Sequence, residues 1–129
     1  MEKGVNSVYT NKLVKRARRN GTTEYHLNGN LHRTDGPAIE HSNGLKYWYI
    51  NGKLHRTDGP AIEYLDGTNC WYLRGKRHRT DGPAYECFTG AKHWFVSGKR
   101  HRADGPAIIW PDGTRYWYFQ SKLFKGPKK

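Results

Sequence analysis

The sequence predicts an all-β fold, an elongated repeat of antiparallel β-hairpins. Three observations carry that prediction. "HRTDGPA" begins at His32, His55 and His78, and "HRADGPA" begins at His101. Trp48, Trp71, Trp94 and Trp117 recur every 23 residues without an insertion, with Tyr25 one step earlier. Between these marks, short runs such as "AIEY" (61–64) and "CWYL" (70–73) alternate with period two and are bounded by turn residues. A fixed period of this size signals stacked units, because one hairpin cannot bury its own apolar face.

The elements follow in order. Residues 1–24 form a basic N-terminal segment with a half-repeat. In "NKLVKRARRNG", Asn20-Gly21 aligns with Asn43-Gly44, so a strand carries Lys15, Arg16, Arg18 and Arg19. Such charge serves a ligand or guards an exposed sheet edge against aggregation. Residues 25–116 form four repeats of two strands each. Trp71 and Leu73 share one side of their strand, and Tyr72 takes the other. Gly in "NG", "DG" and "TG" supplies the positive φ of a tight primed turn. Asp58-Gly59-Pro60 is a further turn, with Gly59 expected at an unusual φ and Ala61 allowing close approach of a neighbouring strand. Residues 117–129 form a degenerate cap and basic tail, in which Phe124 replaces the repeat His.

Composition sets limits. Leu, Ile, Val and Phe total 21 of 129 residues, and the net charge is +12. Those figures alone would indicate disorder. Five Trp and nine Tyr argue instead for a folded domain with a thin, aromatic core. Residues 1–20 carry six Lys/Arg against one Glu, and residues 115–129 carry five with no acid. The ends are therefore basic and the repeats nearly balanced. No apolar run approaches the ~20 residues of a membrane span. No signal-like apolar stretch follows the basic N-terminus. Two cysteines, Cys70 and Cys87, are too few for a disulfide framework, and both read as small strand residues. A cytoplasmic setting is expected.

Catalytic signatures are weak. His-Arg-x-Asp recurs in every unit, and no repeat stands out as an active one. Neither "CxxC" nor "HExxH" is present, so no metal or cofactor is expected. Two readings of the His-Arg pair stand. One has His bonded to backbone and Arg bridging to an Asp such as Asp58. The other makes His32, His55, His78 and His101, with Arg33, Arg56, Arg79 and Arg102, a ladder facing an anion.

The repeats also differ informatively. Leu31 and Leu54 give way to Arg77 and Arg100. The fold does not need Arg at this position. Lys76, Arg77, Arg79, Lys99, Arg100 and Arg102 are therefore expected to form a basic stripe that binds phosphate, with Lys15, Arg16, Arg18 and Arg19 as a second track.

"WYINGKLHRTDGPAIEYLDG" resembles the MORN-type repeat, whose units share Trp/Tyr, "NGK", His and a closing "DG". The resemblance covers about residues 20–125 and is closest to variants in tailed bacteriophages and large DNA viruses. After the His, "RTDGPA" departs from the family's "GxG". The resemblance implies successive hairpins in a twisted sheet and a protein-interaction scaffold. Its viral setting implies a counter-defence role in the host cytoplasm. The charge points to a non-enzymatic protein that binds a polyanion: nucleic acid, an RNA–protein complex or a nucleotide. A host-protein scaffold is the alternative, and a hydrolase the third class.

Overall fold

The computed structural model describes residues 12–124. Every regular element among them is a β-strand. The main sheet is open and antiparallel. In space it runs Leu13–Ala17, Thr23–Leu27, Ile39–Glu40, Lys46–Tyr47, Ile62–Glu63, Asn69–Cys70, Tyr85–Glu86, Lys92–His93, Ile108–Ile109, Arg115–Phe119 and Lys122–Phe124. That is also the chain order, so each repeat adds to the edge left by the one before. Asn30–Leu31 pairs beside this path with Thr23–Leu27. Three small hairpins flank it: Tyr49–Ile50 with Lys53–Leu54, Tyr72–Leu73 with Lys76–Arg77, and Phe95–Val96 with Lys99–Arg100. The two segments expected in each repeat are thus both strand. The "CWYL" segment is interrupted at Trp71, and a short return strand follows it.

Backbone hydrogen bonding explains the interruption. Trp71 N–H donates to the Ala84 carbonyl of the main sheet, while its own carbonyl accepts from His78 N–H of the flanking hairpin. The chain changes partners at this residue. Trp48 and Trp94 repeat the arrangement, and so does Tyr25. The flanking hairpins are themselves tied together, for example by Gly75 N–H to the Leu54 carbonyl and Arg56 N–H to the Tyr72 carbonyl.

Register divides the side chains between two faces. Ile39, Tyr47, Ile62, Cys70, Tyr85, His93, Ile108 and Tyr116 lie opposite one another across consecutive strands. They share one side, together with Tyr49, Tyr72 and Phe95 two residues along. This is the tyrosine face. The tryptophan face carries Trp48, Trp71 and Trp94, with cross-strand pairs of opposite charge at Glu40–Lys46, Lys46–Glu63 and Glu86–Lys92. Such pairs add modest stability in an antiparallel sheet.

Each repeat arginine clamps the tryptophan face. The Arg56 guanidinium stacks 3.8 Å from the Trp48 ring centroid. Its Nε donates to Asp58 at 3.0 Å, and its Nη1 donates to the Pro60 carbonyl at 3.1 Å and to Glu63 at 2.9 Å. Arg79 on Trp71 and Arg102 on Trp94 repeat the stacking, at 3.9 and 4.0 Å. Arg33 uses Tyr25 at 4.1 Å. The histidines are structural too. His55 Nδ1 accepts from Arg74 N–H at 2.9 Å, and His32, His78 and His101 accept from Asn51, Ser97 and Gln120 in the same way. Each bond joins one repeat to the turn of the next. In each unit the His Nδ1 thus bonds backbone and the Arg Nε and Nη1 bond the turn, the arrangement of the first reading of the pair.

Two turn assignments also change. Asn51 and Gly52 both have positive φ, 48° and 80°, as a primed turn requires. At Asp66-Gly67 only Gly67 is left-handed, at 94°. Tyr64 N–H bonds the Thr68 carbonyl and Gly67 N–H bonds the Tyr64 carbonyl, giving a three-residue loop with a glycine bulge. Gly59, expected at an unusual φ, has no left-handed backbone. Its constraint is spatial. A Cβ at Gly59 would sit 2.9 Å from Arg56 Cζ.

Burial is shallow. Ala38, Ala61, Ala84 and Ala107 are fully buried, with Ile62, Cys70, Phe95 and Ile108 nearly so, but no large side chain is wholly enclosed among the described residues. Trp48, Trp71 and Trp94 are half-buried and roofed by arginine. No helix among the described residues is long and apolar enough to cross a membrane.

The Arg56–Gly59 contact makes a double-variant prediction. Gly59→Ala should destabilise the fold by about 1–3 kcal/mol, the usual cost of overpacking. In an Arg56→Ala background most of that penalty should vanish, because the obstructing guanidinium is gone. Thermal or urea unfolding of the four proteins measures the coupling. An undiminished penalty in the Arg56→Ala background would show that the backbone, not the arginine, demands glycine.

Candidate functional site

The structure splits the expected basic stripe. Arg77 lies opposite Tyr72 and Arg100 opposite Phe95, so both occupy the tyrosine face. Lys76 and Lys99 lie opposite Leu73 and Val96 and are exposed on the tryptophan side. Arg79 and Arg102 are held there by Trp71 and Trp94, by Asp81 and Asp104, and by the carbonyls of Pro83 and Pro106. The second track is also divided. Lys15 reaches over the Tyr25 ring at 5.9 Å, whereas Arg16 pairs across from Glu24. Arg18 makes a two-pronged contact with Glu24, at 2.9 and 3.0 Å. That contact, with the His26 bond, holds the Glu24 carboxyl down to about 2. Arg19 is exposed beside the turn.

Arg77 and Arg100 converge on one cleft. It has a volume of about 450 Å³ and is walled by Arg77, Tyr85, Cys87, His93, Arg100 and Trp110. The two guanidinium carbons approach the same Phe95 ring, at 5.4 and 5.6 Å from its centroid. Arg77 Nε donates to the Tyr72 hydroxyl at 3.3 Å. Arg100 Nε is shielded from solvent and has no acceptor. Neither arginine has a carboxylate partner among the described residues. Two neighbouring cations with an unmet buried donor leave an electrostatic cost that a bound anion would relieve.

The aromatic wall is built around His93. Its ring meets Tyr85 and Trp110 edge-on, each at 5.2 Å, and stacks parallel to Phe95 at 6.4 Å. Burial lowers the His93 pKa, helped by the Arg100 and Arg77 charges. The ring is therefore neutral near pH 7 and adds no third charge. Cys87 lies at the mouth. Thr89 donates to its sulfur at 3.2 Å and Thr68 at 3.9 Å. Hydrogen bonds from Thr89 and then Tyr85 draw the thiol down to about 7, and the same contact with Cys87 pushes the Tyr85 hydroxyl up to about 12. Cys70, buried in its strand, has its pKa raised by burial. Cys70 is thus the small strand residue expected, whereas Cys87 lies just past the strand Tyr85–Glu86 and lines the cleft.

Tyr85, Cys87, His93 and Trp110 were not expected as site residues. A signal for them exists in the repeat itself. Tyr85 stands where Ile39, Ile62 and Ile108 stand in other units. His93 replaces Tyr47, Cys70 and Tyr116, and Cys87 replaces His41, Tyr64 and Trp110. With Arg77 and Arg100, these departures gather at the junction of the third and fourth repeats. No protein-family model, curated protein or solved structure matches this chain.

The two thiols should differ in reactivity. Alkylation of Cys87 by iodoacetamide should accelerate as pH rises through about 7, because the thiolate is the nucleophile. Cys70 should stay much slower over the same range. Mass spectrometry of each cysteine peptide gives both rates at once. Equal rates would contradict the placement of Cys87 at the open mouth.

Proposed function

We propose that this protein is a non-enzymatic binding protein and that its tyrosine face holds single-stranded nucleic acid. One observation carries the reading, the segregation of charge between the faces. Of the nine acids of the repeats, Asp35, Glu40, Asp58, Glu63, Asp81, Glu86 and Asp104 belong to the tryptophan face or its clamps, and Asp66 and Asp112 sit in turns, accepting from Thr68 and Thr114 N–H. On the tyrosine face the sole carboxylate among the described strand residues is Glu24, already engaged by Arg18 and His26. What remains is a row of aromatic rings with Arg77 and Arg100 beside them.

That combination suits a single strand better than a duplex. Bases stack on exposed aromatic rings with little regard for sequence, while cations follow the phosphates. A duplex keeps its bases stacked inward, and a sheet face of tyrosines has little to offer them. Arginine suits the role because its planar fork meets a phosphate with two parallel hydrogen bonds. The consensus arginines do not compete for it, since Asp and Trp already occupy them.

Titration of fluorescent single- and double-stranded RNA and DNA at several salt concentrations tests this reading. Single strands should bind more tightly, and affinity should fall steeply with salt. Arg77→Leu with Arg100→Leu restores the residue found at Leu31, Leu54 and Leu123, so the fold should survive. The slope of log affinity against log salt should become shallower by roughly 1.4, since each phosphate contact on a single strand contributes about 0.7. No binding of any nucleic acid at low salt would sink the proposal. An unchanged slope would move the contacts to Lys15, Arg16 and Arg19.

A further inference from the structure

We infer that the cleft between the third and fourth repeats is a nucleobase pocket. One base of the bound strand lies against Trp110 and His93, and the adjoining phosphate is held between Arg77 and Arg100. This rests on the reading of the tyrosine face as a nucleic-acid surface, and it adds a single place where one base is singled out.

The site occurs once. Only here do two successive units both carry arginine at the variable position; the preceding junctions pair Leu31 with Leu54 and Leu54 with Arg77. Tyr64, Trp110 and Tyr116 each keep about 40% of their surface, so stacking surface is spread along the face. The paired charge is not. A strand tracking the face therefore meets a distinct point at this junction.

The lining supplies both halves of a nucleotide's chemistry. Arg77 and Arg100 flank one ring, and Arg100 Nε is a shielded donor without an acceptor. A phosphate offers several oxygens and can serve both arginines together. Trp110 retains 40% of its surface, so indole remains available to a planar partner. Tyr85, Thr89 and the neutral His93 place hydrogen-bonding atoms around the same volume of about 450 Å³, room enough for a base. Polar groups of this kind read a base edge, whereas an inorganic anion would use only the arginines. An acidic peptide would meet the arginines but leave the aromatic wall unused.

Three fluorescent oligomers of equal length and phosphate count test the inference. One is fully base-bearing, one is wholly abasic, and one is abasic except for a single central base. With the parent protein, the single-base oligomer should bind about tenfold more tightly than the abasic one, in the range of one base–aromatic stack. Trp110→Ala should abolish that advantage, so that the single-base and abasic oligomers bind alike. A second readout needs no variant. The single-base oligomer should slow alkylation of Cys87, which lines the cleft, while the abasic one should not, with Cys70 as the internal reference. Equal affinity for single-base and abasic oligomers would overturn the pocket and leave the polyanion reading intact. Failure of all three to bind at low salt would overturn both. An acidic polypeptide of matched charge that binds as tightly as the single-base oligomer would replace the base pocket with an acidic protein partner.

Discussion

The structure depends on one recurring contact, the repeat arginine lying flat on the tryptophan of its own unit. Arg56 shows why it is central. Its guanidinium covers Trp48, bonds the turn through Asp58 and the Pro60 carbonyl, and fills the space that a side chain at Gly59 would need. A single-layer sheet has no second layer to cover its rings. Here the cover is supplied by a cation that belongs to the same chain segment. Each stack is worth about 0.5–2 kcal/mol, more where water is kept away. Repeated along the chain, it substitutes for a hydrophobic core that the low aliphatic content cannot build.

The histidine extends that local clamp into a chain of repeats. A primed turn leaves the N–H of its first left-handed residue pointing outward. His55 Nδ1 satisfies the one at Arg74, in the following unit. Since the bond crosses between units, it fixes their relative position and tolerates no insertion. That is the physical reason for the strict 23-residue period. It also explains why asparagine is not required at the turn. Arg74, Ser97 and Gln120 all accept positive φ with the same histidine contact.

Much of this was legible in the sequence, and the limits have particular causes. Period and alternation located the two main strand segments of each repeat and the side on which each tryptophan lies, but not the return strands Lys53–Leu54, Lys76–Arg77 and Lys99–Arg100. They could not explain Gly59, because the reason is the guanidinium of Arg56 folded back over three residues. The basic stripe was drawn from the leucine-to-arginine changes and the clustering of charge, which assign no faces. The return strand ends at Arg77, the chain turns at His78, and Arg79 emerges on the opposite side. The cleft was partly visible: Arg77 and Arg100 stood out as departures from leucine. Cys87 did not, since its thiol is set by Thr68 from the preceding unit and by Tyr85 and Thr89 from its own. Comparing every position across the four units, rather than the charged ones alone, would have gathered Tyr85 and His93 as well.

The division of labour between faces follows from the clamp. The tryptophan face must carry acids, because an unpaired row of stacked arginines would repel itself. Asp58, Glu63 and their equivalents meet that need, so the stacked arginines of this face are paired. The tyrosine face has no such obligation. Its residues can change without disturbing the stacking. Substitutions accumulate there in one place: arginine replaces leucine at Arg77 and Arg100, Tyr85 replaces isoleucine, and His93 stands where other units carry tyrosine or cysteine. Leucine at Arg77 and Arg100 would pack against Phe95 with no desolvation cost, as Leu54 does against Tyr49. Two guanidinium groups over one ring are the less stable choice for the free protein. A costly arrangement confined to one junction, on the face where the one strand carboxylate is already engaged, fits a site shaped by what binds it and not by what folds it.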